Sequence, residues 1–392
     1  MKVVHLCLAC FYPDGYSYQE NMLPKYHKML GMEVAIIASL VTFDENGRNA
    51  YLPKASRYQN EYGIWVTRLD YRGPLPLARK LHRYRGVYQA IQREKPDVLF
   101  LHGCQFVDIG QVVRYVKAHP RVRVYVDNHA DFSNSATNFL SKNLLHRLLW
   151  RHCAHKILPY TRKFYGVLPA RVDFLRQVYR LPEDKVELLV MGADDEAVEK
   201  SGQPQARQAA RRRYGVEDGD FLVVTGGKIN AFKTQTLLLM QAVRNIPRPD
   251  LKLIVFGSVV PELKDQVTAL ADGDRVRFIG WVEPRDSYDL FAAADLCCFP
   301  GRHSVFWEQA CGQGIPLMVK QWAGTTHVDA GGNVIFLTQD SREEMEKALR
   351  GLLEDPQAYA AMLKAARGPG MKRFSYRDIA LRSIEGDRNE GT

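Results

Sequence analysis

The feature that most restricts the fold of this chain is a repeated alternation of short apolar runs with longer amphipathic spans. Apolar runs stand at Val3–Leu8, Glu33–Ser39, Asp97–His102, Val122–Asn128, Lys156–Tyr160 and Val186–Met191. Several are near-continuous, as suits strands covered on both faces rather than one. Helical spacing fills the gaps; Gln19–Leu30 reads as one helix even with Pro24 in its first turns. Strand and helix in turn are the signature of a doubly wound parallel sheet.

The pattern lapses over Asp195–Tyr214, a polar stretch with Arg211-Arg212-Arg213, which reads as the connection to a second domain. It restarts at Phe221–Thr225 and continues through Leu251–Phe256, Val276–Ile279, Asp295–Phe299, Ile315–Val319 and Asn333–Leu337, with a helix at Arg342–Leu353. The expected architecture is α/β, with two Rossmann-like doubly wound parallel-sheet domains facing a central cleft. The first covers residues 1–194 and the second 195–373. A last helix, 374–392, packs back on the first. A cleft between two such domains is a natural ligand site.

Composition narrows the partners. A length of 392 residues suits two or three domains, and 46% hydrophobic residues supply real cores. No apolar run is long enough to span a bilayer, and the N-terminus reads as a core strand rather than a signal peptide. Seven cysteines, mostly within apolar strands, suit a reduced cytoplasmic protein without a disulfide framework. Cys7 and Cys10 have redox spacing but no helix directly after them. The formal charge of +10 calls for an anionic partner: nucleic acid, a phosphorylated metabolite or an acidic membrane. No RNA- or DNA-binding motif accompanies it, so nucleic acid is not expected.

Two stretches carry chemistry. Thr225-Gly226-Gly227-Lys228-Ile229-Asn230-Ala231-Phe232-Lys233 places glycines after a strand, where backbone can approach a ligand, and adds two cations. A helix start nearby would offer free N–H groups to a diphosphate. It matches neither a Walker A loop nor GxGxxG. The two lysines would otherwise be surface residues beside a turn. About 75 residues later, Leu296–Val319 reads strand, loop, helix, strand, with Glu308 in its helical turn. A carboxylate at a strand's carboxyl end can accept hydrogen bonds from ribose hydroxyls, or simply decorate a helix. Between them, Trp281 follows the strand Val276–Ile279, either as a platform for a base or as a core aromatic.

Together these residues resemble the retaining glycosyltransferases of family 4, with the GT-B fold. Gly227-Lys228-Ile229…Lys233 matches that family's diphosphate clamp, with lysine in place of arginine, and Glu308 matches the second glutamate of its Glu–seven residues–Glu motif. The first glutamate is missing, since Pro300 stands there; Gly301-Arg302-His303-Ser304 is expected to replace it. Arg302 could reach the diphosphate or face water. The family's glycine-rich loop after strand one keeps only Gly15, and YSYQEN is similar to a bacterial surface-polysaccharide subgroup. The family's first-domain histidine is matched by His129, where it faces the donor sugar; His102, ending the neighbouring strand, stays unassigned.

The resemblance implies His129, Lys233 and Lys228 as catalytic residues, and Gly15, Gly227, Trp281, His303, Ser304 and Glu308 as donor-binding ones. It implies a UDP- or GDP-linked sugar, a glycan or lipid-linked acceptor, capsule-type polysaccharide synthesis, and no cofactor. No metal is expected: no histidine or carboxylate cluster has metal-ligand spacing, and no Asp-x-Asp motif is placed to mark a metal-bound diphosphate. The alternative is a non-catalytic nucleotide-sugar-binding protein of the same fold. An epimerase is a rival within enzymes; a phosphorylase would need a pyridoxal-binding lysine site that is not seen.

One stretch points elsewhere. Residues 141–180 hold nine Lys/Arg and a single acid, Asp173, with Leu144, Leu145, Leu148, Leu149 and Trp150 interleaved. Such a segment either lies on an anionic membrane, making the protein peripheral on its inner face, or packs its leucines on the sheet.

Overall fold

A computed structural model describes residues 1–44, 49–136, 138–139 and 141–385. The chain divides into two compact units: Met1–Val190 with Ile379–Thr392, and Met191–Asp378. Residues 386–392 of the expected last helix lie outside the described residues.

The first unit contributes strands β1 (Lys2–Cys7), β2 (Glu33–Ala38), β3 (Val41–Phe43), β4 (Asn49–Tyr51), β5 (Ser56–Gln59), β6 (Trp65–Arg68), β7 (Val98–His102), β8 (Arg123–Asn128), β9 (Thr161–Gly166) and β10 (Val186–Leu188). Eight form one sheet in the order β10-β9-β8-β7-β1-β2-β6-β5, parallel except for the β5–β6 pair; β3 and β4 pair apart. The short strands β3 to β6 were not visible as apolar runs, because most of their residues are exposed or half-buried. In the central strands alternate residues divide between two faces. Val4, Leu6, Leu99, Leu101, Val124 and Val126 join one core, while His5, His102 and Asp127 sit at the opposite parity and are also buried.

One expectation is corrected. Lys156–Tyr160 is not a strand but the end of the helix Arg151–Ile157 and a following turn. Trp150, Cys153, Ala154 and Ile157 are buried at helical spacing, and the strand begins only at Thr161. The polar stretch Asp195–Tyr214, read as the connection between domains, holds helices Asp195–Ser201 and Pro204–Arg213. Arg211 of the second is buried, donating to the carbonyls of Ala293, Glu217 and Asp220, so a charged sequence disguised a docked helix.

The second unit contributes β11 (Phe221–Gly226), β12 (Leu251–Phe256), β13 (Val276–Phe278), β14 (Leu296–Phe299), β15 (Leu317–Lys320) and β16 (Val334–Leu337). All are parallel, in the order β13-β12-β11-β14-β15-β16. That is the 3-2-1-4-5-6 order of a dinucleotide-binding fold, in which the strand order reverses between β11 and β14. A ligand is expected beside the carboxyl ends of those two strands.

Candidate active site

The switch point of the second unit gathers Gly227, Lys233 and Gly301. Gly227 follows β11 in the left-handed region, φ +109°. Gly257, after β12, has φ +114°, and a Cβ there would lie 2.0 Å from the Gly227 carbonyl oxygen. Gly257 in turn donates to the carbonyl of Gly280 after β13 at 2.6 Å. Three neighbouring strand ends therefore meet through bare backbone. The Lys233 side chain runs between Gly301 and Gly227: its Cγ is 3.2 Å from where a Cβ at Gly301 would stand, and its Nζ 3.6 Å from the same point at Gly227. Among the described residues it has no carboxylate or hydrogen-bond partner. Burial holds its pKa below the usual lysine value. A half-buried, unpaired ammonium beside glycines at a switch point is suited to an anion. Lys228 is exposed nearby in sequence.

Below this, Phe306 packs against Phe256, Phe291 and Phe299, so the turn rests on an aromatic floor. Phe306 opens the helix Phe306–Gly312, which carries Glu308. Glu308 is fully buried. One oxygen, Oε1, accepts from His303 Nε2 and His327 Nε2, each at 2.8 Å; Oε2 has no partner among the described residues. Burial opposes its ionisation, but the two histidines outweigh it and hold the carboxyl well below the usual range. His303 also meets Trp307 edge-on at 5.0 Å. His303 thus serves the Glu308 carboxylate, and only Oε2 is left for a ribose. His327 was missed because nothing in its sequence neighbourhood marks it.

The other expected residues are placed as follows. Ser304 is half-buried and its carbonyl accepts from Trp307 N–H at 3.0 Å. Trp281 is 63% exposed, so it is not a core aromatic; its indole N–H points to Glu283 at 3.3 Å. The Arg302 guanidinium stacks over the Phe232 ring at 4.2 Å.

In the first unit, Gly15 has φ +78° and donates to Glu61 at 3.0 Å. His129 follows β8, with its ring 30% exposed and its buried Nε2 turned inward, 3.5 Å from Asp127 and 4.0 Å from Glu20 and hydrogen-bonded to neither. Cys7 and Cys10 carry free thiols, and burial pushes that of Cys10 up, against the thiolate that redox chemistry needs.

Among the described residues two groups come within metal-sharing distance, His303/Glu308/His327 and Glu20/His102/His129, although no histidine or carboxylate cluster has metal-ligand spacing in the sequence. In the first, short hydrogen bonds account for the closeness. Two Asp-x-Asp triplets, 218–220 and 272–274, precede β11 and β13 at the opposite strand ends. Asp220 and Asp272 there cap local backbone turns.

Residues 220–355 match the family described as Glycosyl transferases group 1. The chain is 24% identical over 237 residues to a mannosylfructose-phosphate synthase of Agrobacterium fabrum, covering 56% of this chain and 51% of that protein. It is 26% identical over 177 residues to a GDP-mannose-dependent monoacylated alpha-(1-6)-phosphatidylinositol monomannoside mannosyltransferase of Corynebacterium glutamicum, covering 42% and 46%. The chain thus spans about half the length of the curated relatives it matches. Among solved structures, Anabaena HepE in complex with UDP superposes with a TM-score of 0.69 at 18% identity, covering 98% of this chain and 99% of that one. The fold is that of the GT-B glycosyltransferases, and the group 1 match falls within the second unit.

Proposed function

We propose that the protein is a glycosyltransferase that takes a sugar from a UDP- or GDP-linked donor and passes it, with retention, to a glycan or lipid-linked acceptor in cell-surface polysaccharide synthesis. The observation that carries the reading is the unpaired Lys233 ammonium against the Gly227 turn at the switch point. A diphosphate there would have its charge met by Lys233 and Lys228 and by backbone N–H groups, without a metal. The acceptor oxygen bonds to the anomeric carbon as the bond from that carbon to the phosphate oxygen breaks. The departing phosphate oxygen takes the acceptor's proton. The relatives' printed substrates, GDP-mannose for one and UDP for the structural neighbour, are the first donors to try.

The test is titration of the full chain with UDP, GDP, UDP-glucose and GDP-mannose, followed by melting and calorimetry. Native-state ligands raise the melting temperature. Lys233→Ala should weaken binding of the productive nucleotide and cost on the order of 10²–10³ in transfer rate, as losing one oxyanion donor does. Wild-type behaviour of that variant would remove the clamp.

The non-catalytic reading keeps two observations in its favour: Glu308 is enclosed, and Pro300 stands where the first glutamate would be. Turnover of a bound nucleotide-sugar separates the two. The proposed seat is cytoplasmic, peripheral on the inner membrane face. Phe139, Leu144 and Leu148 are 77%, 52% and 62% exposed beside Lys142 and Arg147. No helix among the described residues is long and apolar enough to cross a membrane.

A further inference from the structure

A line of buried rings crosses the first unit and ends at His129. Its parts lie far apart in sequence, and the strand registers bring them together. His102 ends β7 directly opposite Asp127 of β8, and its Nδ1 is 2.8 Å from Asp127 Oδ2. On its other side His102 Nε2 is 3.0 Å from His5 Nδ1 on β1. His5 Nε2 is 3.0 Å from His27 Nδ1. His27, on the helix Gln19–Met29, places Nε2 2.9 Å from the Ala380 carbonyl and 3.1 Å from Ser383 Oγ. All four side chains from His27 to Asp127 are within 1% of complete burial.

The far end and burial together dictate where the protons sit. A carbonyl only accepts, so His27 must carry its proton on Nε2. The Ser383 hydroxyl donates to the same carbonyl at 2.8 Å, which leaves its oxygen to accept from His27 as well. Burial keeps His27 and His5 neutral, so His27 Nδ1 is an acceptor, and His5 carries its proton on Nε2 and accepts at Nδ1. His102 must therefore donate from Nε2. Its Nδ1 faces a carboxylate, and two acceptors there would repel. One further proton has to lie between His102 and Asp127, and the pair is an imidazolium and a carboxylate.

The environment agrees. Burial works against a charged His102, but Asp127 outweighs it and raises the ring to about 9. Burial pushes His27 down to about 4 and His5 lower than usual, so both stay neutral. The other groups facing this cluster are Glu20 and Gln19 from the helix, Gln19 donating to Asp127 at 3.5 Å, and the thiols of Cys7 and Cys10.

We propose that His102 is a positioning residue for His129: by keeping Asp127 a carboxylate, it holds the Nε2–H of His129 inward and leaves Nδ1 as an acceptor for a sugar hydroxyl. His5 and His27 supply the ordered tautomers that keep the proton on His102. The inference rests on the reading that His129 faces the donor sugar.

The experiment is long-range proton–nitrogen spectroscopy of the full chain labelled with ¹⁵N-histidine, with rings assigned by single His→Gln variants. Below about pH 9, His102 should be doubly protonated, and His5, His27 and neutral His129 should show the Nε2–H form. In His102→Phe, Asp127 loses its cation and takes up a proton, so the Nδ1–H form of His129 should grow at least several-fold. His102→Gln, whose amide still donates to Asp127, should restore much of the parental pattern. A neutral His102 at pH 7, His5 protonated on Nδ1, or a His129 form unchanged by His102→Phe would overturn the proposal. The wild-type spectrum decides even where His102→Phe does not fold. The reading of His129 is tested apart: UDP-glucose or GDP-mannose that raises the melting temperature yet leaves the His129 resonances unmoved removes its sugar contact, and the positioning role with it.

Discussion

The Gly227 carbonyl oxygen lies so close to Gly257 that the smallest side chain at 257 would sit 2.0 Å from it. The two residues close the carboxyl ends of β11 and β12 against one another, both with φ above +100°. Gly257→Ala should therefore destabilise the second unit by at least the 1–3 kcal/mol that such a backbone conformation costs a side chain. It should also displace the turn beside Lys233 and weaken UDP or GDP binding. Denaturant melts and calorimetry on the same preparation measure both; a variant that melts and binds like the parent would mean that this approach is not needed.

Glu308→Gln separates a ribose contact from a packing role. Replacing the carboxylate removes the charge that holds His303 and His327, and breaking a buried pair costs about 3–5 kcal/mol. Loss of both melting temperature and nucleoside diphosphate affinity is the expected result. A variant less stable but equal in affinity for UDP and GDP would assign Glu308 to the fold alone. The wild-type contribution is present above the unfolded carboxyl value of about 4.5 and should vanish as pH falls, because the folded value is depressed.

Stability of the first unit should peak near pH 6.5 and fall on both sides. His102 is raised to about 9, so its contribution is complete below about 6.5 and is lost as pH climbs through 9. His27 is lowered to about 4, so its contribution is complete above about 6.5 and is lost as pH falls toward 4. Each limb should amount to a few kcal/mol. Melting across pH 4–10 reads it, and His102→Gln should flatten the alkaline limb.

Phe139, Leu144 and Leu148 together make the membrane prediction. Leu145, Leu149 and Trp150 pack on the core of the first unit, whereas Leu144 and Leu148 of the same helical segment face outward. Binding to vesicles containing anionic lipid should weaken with salt, since charges are screened beyond about 10 Å at 0.1 M ionic strength. Leu144→Asp with Leu148→Asp should abolish it without altering the core. Equal binding to neutral vesicles, or none to either, would leave this segment as a solvated helix.

The strands of both sheets were legible wherever burial on two faces leaves a near-continuous apolar run, as in Leu251–Phe256 and Leu296–Phe299. The exceptions have physical causes. Ser56–Gln59 and Trp65–Arg68 lie toward a sheet edge, where half-exposed residues blur the pattern. Lys156–Tyr160 was misread because a short apolar run does not distinguish the end of a helix from a strand. Among the candidate site residues, Lys233, Gly227 and Glu308 could be picked out locally, since a glycine turn after a strand and a lone carboxylate in an apolar helix are visible within a few residues.

What the sequence determined by itself is the alternation of elements, the turn chemistry at Gly227 and the charge that an anionic donor would meet. The tertiary structure alone decided which polar groups share a proton. His5, His27, His102 and Asp127 each look like an isolated polar residue within or beside an apolar run, and the contacts between them span 22 to 97 positions. A side chain's tautomer and charge depend on the atom opposite it, and in a parallel sheet that atom is supplied by another strand whose register no local pattern encodes.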